Sequence, residues 1–314
     1  MNRFFRNLVL ATLAVLLLVS FYNVRHKNSG GGYFPRLGSP APSDESLASR
    51  LKSAEAGLAK NPDDLKALVD KGVVYFQMGP DHYADSLNSL NAAWRSGAFD
   101  TRIFYYSGVL YENLSLFEES ERQYERFLKH EPQDREIQLR LARLLFRMGR
   151  WKDSVVYYEK LLAHNPKDLT CLINLGFAHQ KQYEADKDKV KSGQLKKDQI
   201  QAVQAEGQAS LDQAVSYLER ASQIEPDLPQ GVYLSLSKLY FDKGELEKSV
   251  SAGESELKGN AGDKETLQVL AQGYEKLDQK EKTLEILLRL QEGDPENRSY
   301  RQKIKTLRTK LAKK

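Results

Sequence analysis

Side chains that commonly carry metal-ion or acid–base chemistry are scattered along this 314-residue chain rather than grouped. No histidine lies at a metal-ligand spacing from another histidine or from Cys171, the only cysteine. The sequence has neither a glycine-rich phosphate loop nor a G-x-S-x-G nucleophile motif. These patterns predict a protein that is not an enzyme and holds no metal or cofactor, with Cys171 as a buried small hydrophobe. The histidines are His26, His82, His130, His164 and His179.

The composition argues against several classes of protein. With 20 glycines and 10 prolines, the chain is unlike collagen-like and mainly disordered sequences. A single cysteine excludes an intramolecular disulfide. A hydrophobic fraction of 40% and a mean hydropathy of −0.59 suit an extended molecule with a thin core.

The charge distribution divides the chain into an acidic body and two basic ends. Residues 1–43 carry five basic side chains and no acids, and residues 298–314 carry eight basic side chains and no acids. Since the formal charge of the whole chain is +4, residues 44–297 have a net charge of −9. An acidic body is repelled by phosphates, so nucleic acid is an unlikely partner.

Residues 1–27 predict a single-pass membrane anchor. They contain an uncharged run of 15 residues, 8–22, which covers about 22 Å as a helix and falls short of the ~30 Å hydrocarbon core. Phe4 and Phe5 extend the apolar stretch, while Phe21 and Tyr22 provide aromatic side chains for the interface.

A cleaved signal peptide is the competing interpretation, but nothing like Ala-x-Ala follows the run. The short basic segment before the run favours a cytoplasmic amino terminus, which places the body outside the cytoplasm, or in the periplasm of a bacterium. Residues 28–44, rich in Gly, Pro and Ser, are predicted to be a flexible linker.

The prolines reveal a repeat. Pro132 and Pro166 are 34 residues apart, Pro62 precedes Pro132 by 70, and Pro295 follows Pro226 by 69. Proline ends helices, and a period near 34 is typical of helix–turn–helix repeats. The aligned repeats also share small residues, large apolar residues and aromatics, as in Gly108, Tyr111, Phe117, Ser120, Tyr124 and Phe127 against Ala142, Leu145, Trp151, Ser154, Tyr158 and Leu161.

This pattern resembles the tetratricopeptide repeat (TPR) family over residues 65–297. The resemblance implies an all-α fold: a right-handed α-solenoid of about six helix hairpins. A lone helix over 45–60 would precede the first repeat, and a basic capping helix over 298–314 would cover the last. The predicted repeats are 65–100, 101–134, 135–168, 169–228, 230–263 and 264–297.

The fourth repeat contains an insertion, residues 183–208. It is rich in helix-forming residues on either side of Ser192-Gly193. We expect both helices of the repeat to extend into a protruding hairpin of roughly 20 Å. A disordered charged loop is the alternative.

In the TPR family the first helices of the repeats line a concave, partner-binding groove. Carried over to this chain, the groove becomes a basic and aromatic strip, in which Arg can hold carboxylates and aromatics supply apolar area. The predicted groove residues are Arg102, Tyr105, Tyr106, Arg140, Arg143, Phe146, Arg147, Asn174, Phe177, Lys181, Lys238 and Phe241. Of the positions that make the two-carboxylate clamp of some family members, only Asn174 matches, so a chaperone-tail receptor is not favoured.

The sequence thus predicts a membrane-anchored scaffold that recruits a peptide or partner protein in its groove. One alternative is an assembly factor for an envelope machine such as a pilus or secretion apparatus. Another is a protein that binds an anionic surface or nucleic acid through its basic C-terminal helix.

Overall fold

The structure, a computed structural model, describes residues 43–312. Within that range the chain has fourteen α-helices, a 3₁₀ turn over Pro80–His82 and no β-strand. The described residues form two compact units, unit 1 (up to residue 157) and unit 2 (from residue 158), and the division falls inside the seventh helix. The helices are α1 (Asp44–Lys60), α2 (Leu65–Met78), α3 (Tyr83–Arg95), α4 (Thr101–Asn113), α5 (Phe117–His130), α6 (Arg135–Arg147), α7 (Trp151–His164), α8 (Leu169–Lys191), α9 (Lys197–Ile224), α10 (Val232–Lys243), α11 (Leu246–Gly259), α12 (Lys264–Lys276), α13 (Lys280–Gly293) and α14 (Arg298–Leu311).

The predicted anchor, residues 1–27, lies outside the described residues, as does nearly all of the predicted linker. Between residues 43 and 312, no helix is both long enough and apolar enough to cross a membrane. The linker's last residue, Asp44, is already helical, because the Ser43 side chain accepts a hydrogen bond from the Ser46 backbone and caps α1.

An aspartate side chain sets the start of most first helices of the repeats. It accepts a hydrogen bond from a backbone N–H two or three residues further on. Its negative charge also interacts favourably with the positive end of the helix dipole. Three of these aspartates, Asp100, Asp134 and Asp168, are 34 residues apart, so helix starts recur with the period of the sequence. The capping pairs are Asp64–Ala67, Asp100–Arg102, Asp134–Ile137, Asp168–Cys171 and Asp263–Thr266.

Small residues let the two helices of each repeat approach closely. A Cβ atom on Gly108 of α4 would lie 2.5 Å from the Tyr124 ring of α5, a distance that real side chains do not reach. The Ser120 hydroxyl of α5 also donates to the Gly108 carbonyl at 2.9 Å. The same serine-to-carbonyl bond joins Ser86 to Gly72 and Ser154 to Ala142. One hydrogen bond and one close contact therefore fix the register of successive helix pairs in unit 1.

The core of unit 1 is built mainly from α2 to α6. Its largest fully buried side chains are aromatic, with Phe104, Tyr124 and Phe127 at its centre. In unit 2, one core lies around α9 and α10 and another around α12, α13 and α14.

The insertion is helical, as the hairpin interpretation predicts. Helix α8 runs to Lys191 and α9 begins at Lys197, so residues 183–208 extend both helices of the repeat. The two extensions meet at Gly207, where a Cβ would be in ordinary van der Waals contact with that of Asp186 at 3.4 Å. The Asp186 carboxylate is buried at this contact and accepts hydrogen bonds from Gln182 and Lys189. We call these extensions the hairpin arm.

Candidate functional site

The predicted groove residues of unit 1 lie on α4 and α6, but most of them are occupied by contacts within the unit. The Arg102 guanidinium donates to Asp70 and to Asp100, each at 2.7 Å. Burial lowers the pKa of Arg102, but the hydrogen bonds to Asp100 and Asp70 together with the charges of these two carboxylates raise it by more, so the net shift is upward. Its charge is therefore neutralised before any partner arrives.

Arg140 belongs to a second network of this kind. Its side chain donates to Glu136 at 3.0 Å and to Glu112 at 3.3 Å. Glu112 also accepts the Tyr124 hydroxyl proton at 2.6 Å, which ties α4, α5 and α6 together. Burial lowers the pKa of Arg140, and interactions with Tyr124, Glu112 and Glu136 raise it by more.

The structure corrects the assignment of Tyr105 and Tyr106 to the binding surface. Both side chains are fully buried in the core of unit 1. The Tyr105 hydroxyl donates to Glu136 at 2.8 Å, and burial raises the pKa of Tyr106 to about 12. The two rings fill space between helices, so they present no face to a partner.

The remaining predicted residues of unit 1 lie near the end of α6. Arg143 and Phe146 are half-buried, and Arg147 is exposed. The Arg147 guanidinium lies over the Phe117 ring at 4.4 Å and pairs loosely with Glu112 at 3.8 Å. Of the basic strip predicted in this unit, Arg147 is the member most open to solvent.

In unit 2, the predicted residues on the first two-thirds of α8 also make local contacts. The Asn174 amide donates to the Thr170 carbonyl of its own helix at 2.7 Å. Phe177 packs against the core around α10, and Lys181 pairs with Glu184 at 2.6 Å.

The remaining two predicted residues, Lys238 and Phe241, line an open cleft in unit 2. The cleft has a volume of about 430 Å³ and lies between the hairpin arm and the first helices of the fifth and sixth repeats. We call it the arm cleft. Phe241 is half-buried, and Leu239 forms part of the floor. Its lining residues are Gln180, Tyr183, Glu184, Lys187, Asp188, Lys191, Lys238, Leu239, Phe241, Asp242, Val269 and Gln272.

Asp242 holds the wall of the arm cleft in place. One of its carboxylate oxygens accepts both the Tyr183 hydroxyl proton, at 2.9 Å, and a Lys187 ammonium proton, at 2.6 Å. Burial and the bond to Asp242 raise the pKa of Tyr183. Burial lowers the pKa of Lys187, but the hydrogen bonds and charge interactions with Asp242 and Tyr183 together raise it by more. The arm is thus attached to α10 through two side chains on one turn of α8.

Two lysines bear on the chemistry of the arm cleft, one that covers Phe241 and one that lines the cleft with it. Lys276 lies over the Phe241 ring at 4.1 Å, and Lys238 pairs with Glu265 at 2.6 Å. Glu265 is 60% exposed, so the pair is solvated, and Lys238 can exchange partners at small energetic cost. The cleft therefore combines half-buried aromatic surface with exchangeable ammonium groups.

The carry-over of groove positions missed the arm side of the cleft. Gln180, Glu184, Lys187 and Lys191 continue the face of Phe177 along α8 at steps of three or four residues. Helical periodicity followed through the insertion is the sequence signal that could have identified them.

The histidine and metal-binding side chains can now be placed in the structure. His179 stacks on Tyr217 with ring centroids 5.7 Å apart, and burial lowers its pKa. Across residues 43–312, no cluster of three or more His, Cys, Asp or Glu side chains is arranged to hold a metal ion.

Comparison with known proteins agrees with this architecture. Residues 108–168 match the tetratricopeptide repeat family. No curated protein matches the chain significantly in sequence. Among solved structures, the C-terminal part of a TPR repeat-containing protein from Cytophaga hutchinsonii has 13% identity and a TM-score of 0.58, covering 83% of this chain and 95% of that one.

Two further structures are similar in fold. YrrB, described as a TPR protein with an unusual peptide-binding site, has 13% identity and a TM-score of 0.52, covering 69% of this chain and 97% of its own. MamA has 18% identity and a TM-score of 0.50, covering 64% of this chain and 94% of its own.

Paired helices with a period of 34 residues define an all-helical repeat fold over the described residues. Residues 108–168 thus match the tetratricopeptide repeat family, and the described chain as a whole has the fold of solved TPR structures.

Proposed function

We propose that this protein is a membrane-anchored scaffold that binds a peptide segment of a partner protein in the arm cleft. The observation that carries the proposal is the open cleft itself, which places Tyr183, Phe241 and Lys238 around one cavity of about 430 Å³. This volume lies within the range of about 300–1,000 Å³ that is typical of ligand pockets.

The chemistry of the cleft suggests what such a segment contains. The half-buried ring of Phe241 and the floor at Leu239 offer an apolar surface for one bulky side chain. Lys238 and Lys191 lie at the edge, where a carboxylate of the peptide could replace Glu265 as the partner of Lys238. An apolar residue next to an acidic one is the simplest segment that fits.

A site-specific photo-crosslinker tests this assignment. Gln272 is exposed on α12 and lines the cleft, so p-benzoylphenylalanine at this position should form an adduct of defined mass with the partner. The same crosslinker at Ser251, exposed on α11 and outside the cleft lining, is the matched control. The adduct at position 272 should decrease about tenfold when Phe241 is changed to Ala, since a buried aromatic anchor contributes at least this much to binding.

Equal adducts at positions 272 and 251, or an adduct unaffected by Phe241→Ala, would show that the partner binds elsewhere. A crosslinker at Arg147 in unit 1 then identifies the other predicted surface. An adduct there and none at 272 would assign the partner to the end of α6.

Anchoring is the second part of the proposal, and it is supported by the uncharged run 8–22 and the absence of an Ala-x-Ala sequence after it. The full chain should stay in the membrane pellet after a carbonate wash. Its amino-terminal sequence should begin before residue 8. A mature terminus near residue 21 would instead show a cleaved signal peptide.

A further inference from the structure

We propose that one flank of α14 binds the headgroups of anionic lipids. This flank, which we call the basic flank, consists of Arg301, Lys305 and Arg308. These residues follow one another at steps of four and three, so they share one side of the helix. With Gln291 of α13, Ile304 and Thr309 they line a shallow pocket of about 300 Å³ that contains no acidic side chain.

The cations of the basic flank are poorly neutralised by the protein. Lys305 and Arg308 are exposed and make no ion pair with any residue between 43 and 312. Arg301 donates to the Glu296 carbonyl at 3.1 Å and pairs at 3.5 Å with the Glu296 carboxylate, which is 94% exposed. Such a solvated pair contributes little and leaves the guanidinium free to change partner.

The apolar side of α14, which adjoins the basic flank at Ile304, determines how the helix can bind. Ile304 is buried, and Tyr300 and Leu307 pack with it against the core around α12 and α13. The apolar side of the helix is therefore used within unit 2 and is not free to enter a bilayer. Binding by the basic flank is then electrostatic and peripheral, and it should disappear as salt screens the charges.

The charge pattern favours a lipid surface over a nucleic acid. Residues 298–314 carry eight basic side chains and no acids, and clusters of four to eight Lys or Arg on a helix are typical of anionic-lipid contacts. A nucleic acid extends well beyond a helix of about 21 Å and would run alongside residues 44–297, whose net charge is −9. A membrane surface, in contrast, can be contacted by α14 without the acidic residues 44–297 lying along it.

This inference rests on the proposed function in one respect, because the membrane anchor is what brings α14 close to a bilayer. One assay tests the anchor and the lipid binding of the basic flank separately. The full chain is labelled with a donor fluorophore at Gln302→Cys, an exposed neutral position next to Arg301. Cys171 is buried and should not react. The labelled chain is combined with vesicles that carry an acceptor on the headgroup. The vesicles contain phosphatidylcholine alone or with about one third phosphatidylglycerol.

Energy transfer should be about twofold higher with phosphatidylglycerol, and it should return to the phosphatidylcholine level in high salt. The variant Arg301→Gln/Lys305→Gln/Arg308→Gln should lose this increase. Its thermal unfolding should be unchanged, because exposed cations contribute little to stability. The matched control, Lys167→Gln/Lys196→Gln/Lys197→Gln, removes the same charge from exposed positions of unit 2 outside α14 and outside the arm cleft, and it should keep the increase.

Three results would overturn the inference: equal transfer in both vesicles, an increase retained by the basic-flank variant, or an equal loss in the control. A donor response to duplex DNA that exceeds the vesicle response at the same salt would assign the flank to nucleic acid instead. Retention of the chain by phosphatidylcholine vesicles after a carbonate wash reports the anchor alone. If retention fails while the phosphatidylglycerol effect remains, the anchor is wrong and the basic flank is right.

Discussion

The predicted groove residues of α4 and α6 in unit 1 and those of α10 in unit 2 stand at corresponding positions of their repeats. Their side chains make different kinds of contact. In unit 1, Arg102 pairs with Asp70 of α2 and Arg140 pairs with Glu112 of α4, and Tyr106 is fully buried. In unit 2, Phe241 is half-buried and Lys238 pairs with Glu265, which is exposed. A residue type at a groove position therefore does not by itself define a binding surface, because the neighbouring repeat can supply its partner.

The hairpin arm accounts for much of this difference. It extends α8 beyond the length of an ordinary first helix and adds a wall that α4 and α6 lack. Asp242 attaches this wall to α10 through Tyr183 and Lys187. The arm thereby encloses a cavity beside Phe241, whereas the unit 1 residues are joined directly to one another.

The largest expected effect is in unit 1. Changing Arg140 to Ala leaves Glu112 and Glu136 without their shared cation, so the free energy of unfolding should fall by about 2–4 kcal/mol. Arg147→Ala, which removes a more exposed arginine of the same helix, should cost less than about 1 kcal/mol. Urea unfolding of both variants tests the difference. Equal, small losses would mean that the Arg140 network does not stabilise unit 1.

The next effect should appear in binding. Phe241→Ala removes the main aromatic surface of the arm cleft, and the affinity for the crosslinked partner should fall about tenfold to a hundredfold. Tyr106→Phe is the matched aromatic change in unit 1 and should leave the affinity unchanged, since that ring is buried. Titration of the purified partner by fluorescence anisotropy measures both. A larger loss of affinity for Tyr106→Phe than for Phe241→Ala would mean that the partner binds unit 1 and not the arm cleft.

Alkaline pH should reveal the burial of Tyr106 in unit 1 through a fall in the free energy of unfolding. Burial raises the pKa of Tyr106 from 10.0 to about 12, so its neutral form is favoured in the folded state. Its contribution to stability is fully present below pH 10 and is lost as the pH rises from 10 through 12, by up to about 1.4 kcal/mol per pH unit. The slope of unfolding free energy against pH over this range should become shallower in Tyr106→Phe. An unchanged slope would show that Tyr106 ionises as easily in the folded chain as in the unfolded one.

Much of the fold follows from local sequence rules. The prolines indicated the period, and the aspartates at the helix starts repeat with it, because capping is a local interaction between residues two or three apart. The close contacts at Gly108 and Ser120 likewise follow from side-chain size alone. The helical arm could be predicted from composition, since both flanks of Ser192-Gly193 favour helices.

The site was less predictable because it depends on which distant residues meet. Nothing in the sequence around Tyr105 or Arg140 shows that Glu136 and Glu112 complete their contacts, as these pairs are set by packing between helices. The helical arm was expected, but its docking by Asp242 against α10 was not, because Tyr183 and Asp242 are 59 residues apart. Residue positions could thus be carried over from the family, but side-chain exposure could not.

The smallest predicted effect concerns the attachment of the arm. Tyr183→Phe removes one of the two hydrogen bonds to Asp242 and leaves the bond from Lys187, so the arm should open more often at a cost of about 0.5–1.5 kcal/mol. Amide hydrogen exchange in residues 183–208 should then accelerate by a few-fold to about tenfold, with no change in α4 or α6 of unit 1. Tyr217→Phe, which removes a longer contact of 3.5 Å to Glu159, is the control within unit 2 and should not affect the arm. If exchange accelerates equally in both variants, Asp242 does not hold the arm. The cleft would then depend on the packing between α8 and α9 instead of the contact with α10.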